Sequence, residues 1–310
     1  MPPPRPMVAF QTGLANGPRI ATYLLGGKTH FAPDREAAER LRDALPTISA
    51  VARADREFTE RAIRDAAEDG ITQFLDLGCG LPHPRNVHDV AGAVTPGART
   101  VYVDHDELVL VHGRAMLEIP GVTAVVPGDI RDPQSILEQP ALRALLDLSQ
   151  PVTVLLTGVV PFVEDPAAIL VNLRGHLAPG SRIVISSACS DLMTDDELTA
   201  TQKVFAETAT PIHPCSSDAI VALFDGLDLL DPGVAKVHRW RPSHDLFFGP
   251  CPILGGVATL PAAAHTSREP ALGCRSARAG ADRPGVAPTG LRPILPAPRQ
   301  DTPFRAGDLR

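Results

Sequence analysis

The stretch QFLDLGCGLP, residues 73–82, decides the fold, because it reads as a short apolar strand that ends in the pattern Asp-x-Gly-x-Gly. A parallel-sheet strand that opens into a glycine turn leaves backbone N–H groups and one carboxylate, here Asp76, at the carboxyl edge of the sheet. Open α/β sheets bind their ligands at that edge. Gly78 and Gly80 carry no Cβ, so a ligand can approach the backbone closely. The stretch therefore predicts a cofactor site.

The spacing of the glycines argues against a dinucleotide-binding fingerprint. The pattern G-x-G-x-x-G would need a glycine at position 83, where the chain has His83 between two prolines. That third glycine normally permits close packing of helix on strand, which a Pro-His-Pro segment cannot supply. An acid two residues before the first glycine, with a second strand that also ends in an acid, is instead typical of class I methyltransferases that use S-adenosylmethionine (SAM).

Strand and helix patterns alternate through the middle of the chain, which is typical of right-handed βαβ crossovers and a parallel sheet. The predicted strands are Ile71–Leu77, Thr100–Asp104, Val122–Pro127, Val152–Val160 and Arg182–Ser187. The predicted helices between them are Asn86–Val94, Glu107–Glu118, Gln134–Asp147 and Pro166–Leu177. Beyond them we predict a helix at Ser217–Phe224 and an antiparallel edge built from Leu227–Leu230 or Ala235–Trp240 and from Gly256–Leu260. The predicted fold class is α/β with a mostly parallel sheet.

The two ends of the chain differ from this middle part. Apolar spacing predicts helices at Arg19–Leu25, from a cap at Asp34 to Arg42, and at Ala50–Asp69. Residues 261–310 contain eight prolines and eight arginines without periodicity, which predicts disorder. We therefore expect a helical cap at 1–69, a cofactor-binding domain at 70–260 and a disordered tail at 261–310.

Composition and charge exclude several classes of protein. The formal net charge is −7 although the tail is basic, so the body is acidic, which argues against nucleic acid or an anionic membrane as partner. No apolar run is long enough for a transmembrane helix, and the first residues, MPPPRP, lack the apolar region of a secretory signal. Five scattered cysteines without a C-x-x-C pair favour neither disulfides nor zinc. We expect a cytoplasmic protein without a metal.

Three acids that follow successive predicted strands fit the parts of SAM. Asp76 lies at the end of the first predicted strand, Asp104 ends the second, and Asp129 comes just after the third. The Asp104 carboxylate can accept both ribose hydroxyls, and His105 beside it is expected at the same site. Asp129 can accept from the exocyclic amine of adenine, with Ile130 over one face of the ring. Because SAM carries a sulfonium and an ammonium, an acidic pocket favours it, and we predict SAM as the cofactor.

The catalytic base is less well defined by the sequence. Methyl transfer is promoted mainly by alignment of the reacting atoms, and a base is needed if the acceptor is a hydroxyl. Candidates near the predicted edge are His30, His83 and His105, and, after the fourth strand, Glu164 and Asp165. Each of them also fits the interpretation of a solvent-exposed loop residue, so the base stays open.

Several stretches carry a resemblance to a known family. They are RIATYLLGGK at 19–28, FAPDRE at 31–36, FLDLGCGLP at 74–82, NVH at 86–88, YVDHD at 102–106, APGS at 178–181 and WRP at 240–242. With them the chain resembles the bacterial S-adenosyl methyltransferase family formerly classed as a domain of unknown function, over roughly residues 18–260. The part YLLGGK is the most specific, because generic methyltransferases lack it.

This resemblance implies a Rossmann-like three-layer sandwich with an N-terminal helical cap. It implies SAM-dependent methyl transfer to a small molecule. It also implies that Tyr23, Gly26, Gly27 and Lys28 lie over the cofactor, with Lys28 at the methionine carboxylate or at an acid of the body.

Two positions depart from the family's pattern. The family usually has a histidine after the fourth strand, where this chain has Pro161, and a Ser-His pair after the fifth, which appears here as Ser186 and Ser187. Proline has no titratable group. Two functions therefore stay open, an active methyltransferase and a catalytically silent SAM-binding sensor. A third, an NAD-dependent oxidoreductase, is disfavoured by His83.

Overall fold

The computed structural model describes residues 10–242 and 249–262, and a mixed sheet of eight strands lies at its centre. The strands are β1 (Gln73–Leu77), β2 (Arg99–Asp104), β3 (Thr123–Pro127), β4 (Thr153–Thr157), β5 (Arg182–Ala188), β6 (Asp228–Leu229), β7 (Ala235–Lys236) and β8 (Ile253–Thr259). The first five are parallel in the order β3-β2-β1-β4-β5. Strand β8 pairs antiparallel with β5, and the two short strands pair with β8. The predicted parallel sheet with an antiparallel edge is confirmed.

Helices cover both faces of the sheet. They are α1 (Gly17–Leu24), α2 (Ala32–Ala44), α3 (Ile48–Glu68), α4 (Val87–Val94), α5 (Glu107–Met116), α6 (Pro133–Leu137), α7 (Pro140–Leu145), α8 (Pro166–Arg174), α9 (Asp195–Ala206) and α10 (Ser217–Ala222). Along β1, Leu75 and Leu77 pack with α6, α7 and α8, whereas Phe74 packs with α3 and α4. A parallel strand covered on both faces buries apolar side chains on each of them, and this arrangement gives the expected three-layer α/β sandwich.

Helix α3 runs across the sheet, and contacts near its carboxyl end and in its middle fix its direction. Near its carboxyl end, Asp65 pairs with Arg182, the first residue of β5, at 2.7 Å. In its middle, Phe58 packs so closely on β8 that a Cβ on Gly255 would lie 2.9 Å from its ring. The amino-terminal half of α3 therefore lies at the carboxyl edge of the sheet, where it carries Asp55 and Arg56.

Helices α1 and α2 form a small apolar cluster with α9, centred on Ile20, Leu41 and Phe205. The predicted cap residue of α2 is wrong, because the helix begins after Phe31 and Asp34 is its third residue. The Asp34 carboxylate accepts the Phe31 backbone N–H at 2.7 Å and forms a buried pair with Arg19. A carboxylate in the first turn satisfies a free N–H there as a cap would, so only the assigned position was wrong.

Two further expectations are corrected by the structure, and one helix was missed. The helix predicted at Gln134–Asp147 is two helices, α6 and α7, because Pro140 lacks an N–H and excludes the residue before it from helical geometry. Strand β4 ends at Thr157 rather than Val160, since Gly158 turns into the left-handed region and a 3-10 turn follows. Helix α9 was not expected, although Thr194 and Glu197 form the capping box that signals its start.

The predicted tail lies almost wholly outside the described residues. The domain boundary at residue 70 stays a prediction.

Candidate cofactor and active site

The ends of β1 and β2 bring Asp76 and Asp104 to one edge of the sheet, beside the glycine turn. The turn is tied to β2, because Gly80 N donates to Asp104 Oδ2 at 3.0 Å and Cys79 N donates to the Val103 carbonyl at 3.0 Å. The other oxygen of Asp104 accepts from Asp106 N, also at 3.0 Å. Each carboxylate oxygen can accept a second hydrogen bond, so Asp104 retains capacity for two ribose hydroxyls.

The two acids are buried, and burial changes their protonation. Desolvation raises the pKa of Asp76 to about 7; the positive charge of Arg56 lowers it and the negative charge of Asp104 raises it. Burial also raises the pKa of Asp104, against the stabilising N–H groups of Asp106 and Gly80. No hydrogen bond reaches the Asp76 carboxylate from any described residue. A buried carboxylate in that condition fits a cationic ligand group such as the ammonium of SAM.

The two glycines of the turn have different roles. Both lie in the left-handed region, with φ of 74° at Gly78 and 66° at Gly80. A Cβ on Gly78 would lie 2.6 Å from Val159 Cγ2, just after β4, so this glycine is required for packing. A Cβ on Gly80 would meet nothing within 4 Å, which leaves space for a ligand at the backbone.

This difference predicts unequal effects of two alanine substitutions. Gly78→Ala and Gly80→Ala both force a left-handed alanine, at about 1–2 kcal/mol, but only Gly78→Ala also clashes with a core residue, which adds about 1–3 kcal/mol. Urea unfolding should therefore show the larger loss of stability for Gly78→Ala. Equal losses would mean that Val159 moves aside without cost.

Asp129 and Ile130 lie after β3, as predicted, but both are occupied by contacts of their own. Asp129 accepts from Arg131 Nε at 2.9 Å, and hydrogen bonding with Arg131 holds the pKa of Asp129 below its usual value. Ile130 is buried in the core beside α6. Their roles toward adenine stay predictions.

The segment with Tyr23, Gly26, Gly27 and Lys28 forms the end of α1 and the turn that follows. Gly26 N donates to the Tyr23 carbonyl and Gly27 N to the Thr22 carbonyl, with φ of 84° at Gly26, which is a Schellman motif. The Tyr23 hydroxyl donates to Glu39 at 2.6 Å on α2. Among described residues, no hydrogen bond or ring contact joins this segment to Asp76 or Asp104. Helix termination thus explains the glycine pair, and a role over the cofactor stays a prediction.

The cap does reach the site through another residue. Asn16, just before α1, donates from Nδ2 to Asp106 Oδ2 at 2.8 Å, and Asp106 caps α5 two residues beyond Asp104. The Asn16 side-chain oxygen is shielded from solvent and has no hydrogen-bond partner in the described part of the chain.

The predicted base candidates are scattered. His105 Nδ1 lies 3.7 Å from Asp104, and its side chain is 61% exposed. Burial lowers the pKa of His83 most, and the positive charges of Arg56 and Arg85 lower it further. His30 contacts Arg35 and the Tyr23 ring in the cap. Glu164 is exposed, and Asp165 caps α8 through Ala168 N at 3.0 Å. None of these contacts joins a candidate to the glycine turn, whereas Asp104 accepts a hydrogen bond from Gly80 N.

Sequence reasoning missed Asp55 and Arg56 on α3. Asp55 Oδ1 and Arg56 Nε are shielded from solvent and have no hydrogen-bond partner in the described segments. Asp55 Oδ2 lies 3.4 Å from the position of a Cβ on Gly158, at the end of β4. Burial raises the pKa of Asp55 to about 6, although the Ser186 hydroxyl and Arg56 lower it. In the sequence, two charged residues beside the apolar stripe of a helix are indistinguishable from a solvated face.

Within residues 10–242 and 249–262, no group of three or more His, Cys, Asp or Glu side chains is arranged to hold a metal ion. In the same residues, none of the helices combines the length and apolar character needed to cross a membrane.

Comparisons with known proteins point in one direction. A family model described as S-adenosyl methyltransferase matches residues 6–261. The crystal structure of a DUF574 family protein from Streptomyces avermitilis is 33% identical, with a TM-score of 0.77 over 81% of this chain and 99% of that chain. A candidate methyltransferase from Thermobifida fusca is 32% identical, with a TM-score of 0.77 over 81% of this chain and 97% of that chain. No curated protein matches the chain.

Proposed function

Because the chain belongs to the S-adenosyl methyltransferase family, we propose that Asp76, Asp104 and Arg56 hold SAM at the carboxyl edge of the sheet. Membership of this family indicates SAM-dependent methyl transfer, with SAM as the cofactor. When bound, SAM supplies an electrophilic methyl group on a sulfonium.

The charges at the edge match the amino-acid end of SAM. That end carries an ammonium and a carboxylate, and the site offers a carboxylate, Asp76, and a guanidinium, Arg56, whose charge acts on it. The Asp76 carboxylate receives the ammonium, and the Arg56 guanidinium donates to the carboxylate of SAM. Asp104, already oriented by Gly80 N and Asp106 N, accepts the ribose hydroxyls. The Asp76 carboxylate, buried without a hydrogen bond from any described residue and acted on by the charge of Arg56, is the observation that carries this assignment.

The methyl acceptor in this proposal is a small molecule, in the cytoplasm of a bacterium. The acidic body of the chain disfavours polyanionic acceptors. The four cysteines within the described residues are free thiols, which suits a reducing compartment. Both similar crystal structures come from bacteria.

Calorimetric titration tests the proposal. Wild-type protein should bind SAM and S-adenosylhomocysteine, and Arg56→Met should weaken both, because both ligands carry the same carboxylate. Arg53→Met, an exposed arginine three residues earlier on α3, is the matched control and should bind like wild type. Absence of binding to either ligand would contradict the proposal.

The catalytically silent sensor is the second candidate, and Pro161 favours it. This residue is buried in the 3-10 turn after β4, and its carbonyl accepts from His213 N at 2.7 Å. Incubation of methyl-labelled SAM with a pool of hydroxyl-, amino- and thiol-bearing small molecules separates the two. A labelled product identifies an active enzyme, whereas tight binding without any product supports the sensor.

Asp76→Asn should raise the stability of the cofactor-free protein at high pH and weaken its binding of SAM. The pKa of Asp76 is raised in the folded state, so its favourable contribution is present below the unfolded value of 3.8 and is lost as pH rises through about 7. At pH 8 the cofactor-free variant should exceed wild type in free energy of unfolding by about 1–3 kcal/mol, and near pH 4 the difference should vanish. SAM affinity should fall.

Urea unfolding at both pH values measures this effect, with Asp43→Asn on the exposed face of α2 as control. A variant that is less stable than wild type at pH 8 would show that the Asp76 carboxylate has a stabilising partner.

A further inference from the structure

The order of the strands divides the carboxyl edge between cofactor and acceptor. Along the order β3-β2-β1-β4-β5, the proposed ribose contact is on β2 and the ammonium contact on β1. The nucleoside then occupies the β3 and β2 side, which leaves the ends of β4 and β5 for the acceptor. Val159, just after β4, contacts the glycine turn at Gly78, so these strand ends adjoin the proposed position of the cofactor.

Asp55 is the ionisable group that α3 brings to those two strand ends. Its Oδ2 faces Gly158 after β4, and its carboxyl interacts with Ser186 on β5. Ser186 is itself held in place, because its Oγ accepts from Gly158 N at 2.9 Å. The Oδ1 atom of Asp55 is shielded and has no partner in the described part of the chain.

The surroundings keep Asp55 available as a base. The charged group that acts on it is Arg56 on its own helix. Asp55 in turn acts on Cys251 before β8, a thiol whose pKa burial raises to about 11. Cys251 therefore stays neutral near pH 7. Burial raises the pKa of Asp55 to about 6, so its carboxylate is mostly ionised at pH 7 and more basic than an ordinary aspartate.

We propose that Asp55 is the catalytic base, whose carboxylate takes the proton from a hydroxyl-bearing methyl acceptor. The inference rests on the proposed function. The acceptor oxygen forms a bond to the methyl carbon while the carbon–sulfur bond breaks. The electron pair of the broken carbon–sulfur bond stays on sulfur. The hydroxyl proton moves to Asp55, which becomes neutral as the cationic methyl donor becomes a neutral thioether. Asp55 then releases the proton to water.

This assignment accounts for the two departures from the family pattern. A histidine after β4 or β5 would face the same strand ends that Asp55 reaches from α3. With Asp55 there, Pro161 and Ser187 do not leave the chain without a base.

A pair of cofactor analogues tests whether Asp55 lies beside the transferable methyl group. Sinefungin has an ammonium-bearing carbon in place of the methyl sulfonium, whereas S-adenosylhomocysteine is neutral there. Both carry the same amino-acid end, so titration of Asp76 cancels in the ratio of their affinities. In wild type the preference for sinefungin should fall about tenfold between pH 7.5 and pH 5, as Asp55 is protonated. In Asp55→Asn the preference for sinefungin over S-adenosylhomocysteine should be low at both pH values.

Two variants act as controls for that ratio. Glu57→Gln removes an exposed carboxylate two residues after Asp55 on the same helix and should behave like wild type. Asp55→Glu keeps a carboxylate and should keep part of the pH dependence. If Asp55→Asn binds S-adenosylhomocysteine normally and retains the wild-type ratio and pH dependence, the proposal is overturned. Failure of wild type to bind either analogue would instead overturn the proposed function.

The labelled-methyl assay with the small-molecule pool adds a turnover readout. Formation of any methylated hydroxyl product should fall at least about 100-fold in Asp55→Asn, the usual range for loss of a base. Undiminished product from that variant would also overturn the proposal.

Discussion

Arg19→Met is expected to lower the free energy of unfolding by about 3–5 kcal/mol, the largest effect that we expect for a single substitution. The Arg19 and Asp34 side chains are 4% and 0% exposed, with Nε and Oδ2 2.9 Å apart. Methionine retains the volume of the arginine stem but leaves the Asp34 carboxylate buried without its cation. Urea unfolding measures the loss, and the fluorescence of Trp240, the one tryptophan of the chain, provides the signal.

Arg40→Met is the matched control, because Arg40 pairs with Glu207 at 2.6 Å where both side chains are about half exposed. Exposed ion pairs contribute about 0–1 kcal/mol, so this variant should be close to wild type. Adding Asp34→Asn to Arg19→Met should recover part of the stability by removing the unpaired charge. Similar small losses for Arg19→Met and Arg40→Met would contradict the importance of the buried pair.

Asp104→Ala is expected to weaken the binding of SAM and of S-adenosylhomocysteine by about 1.5–3 kcal/mol, which is roughly a 10- to 150-fold rise in Kd. The substitution removes the acceptors proposed for the ribose hydroxyls. It also releases Gly80 N and Asp106 N, which hold the glycine turn and the start of α5 in place. Calorimetric titration measures the change.

The controls for Asp104 separate its charge from its shape. Asp104→Asn keeps one acceptor oxygen, so its affinity should lie between those of wild type and Asp104→Ala. Glu107→Gln removes an exposed carboxylate three residues later and should leave affinity unchanged. If Asp104→Ala binds both ligands as wild type does, Asp104 has no role toward the ribose.

The sheet and one side of the site could be predicted because their signals are local. Strand β1 and its glycine turn are contiguous in sequence, and a parallel sheet brings the ends of β1 and β2 to one edge, so Asp76 and Asp104 had to meet. Errors arose where one residue interrupts a longer pattern, as Pro140 does between α6 and α7. The pair Gly26 and Gly27 was interpreted from family resemblance, whereas its local reason is the end of α1.

The sequence by itself determined the α/β class, the glycine turn and the acids at the ends of β1 and β2, because periodicity and strand order act over short distances along the chain. Only the tertiary structure decided which side chains face that turn from elsewhere. Asp55 and Arg56 are ordinary charged residues of an amphipathic helix until the contacts of α3 with Arg182 and Gly255, both more than 100 positions away, set its course over β4 and β5. Burial and proximity then give them their chemistry, and both depend on packing between distant segments.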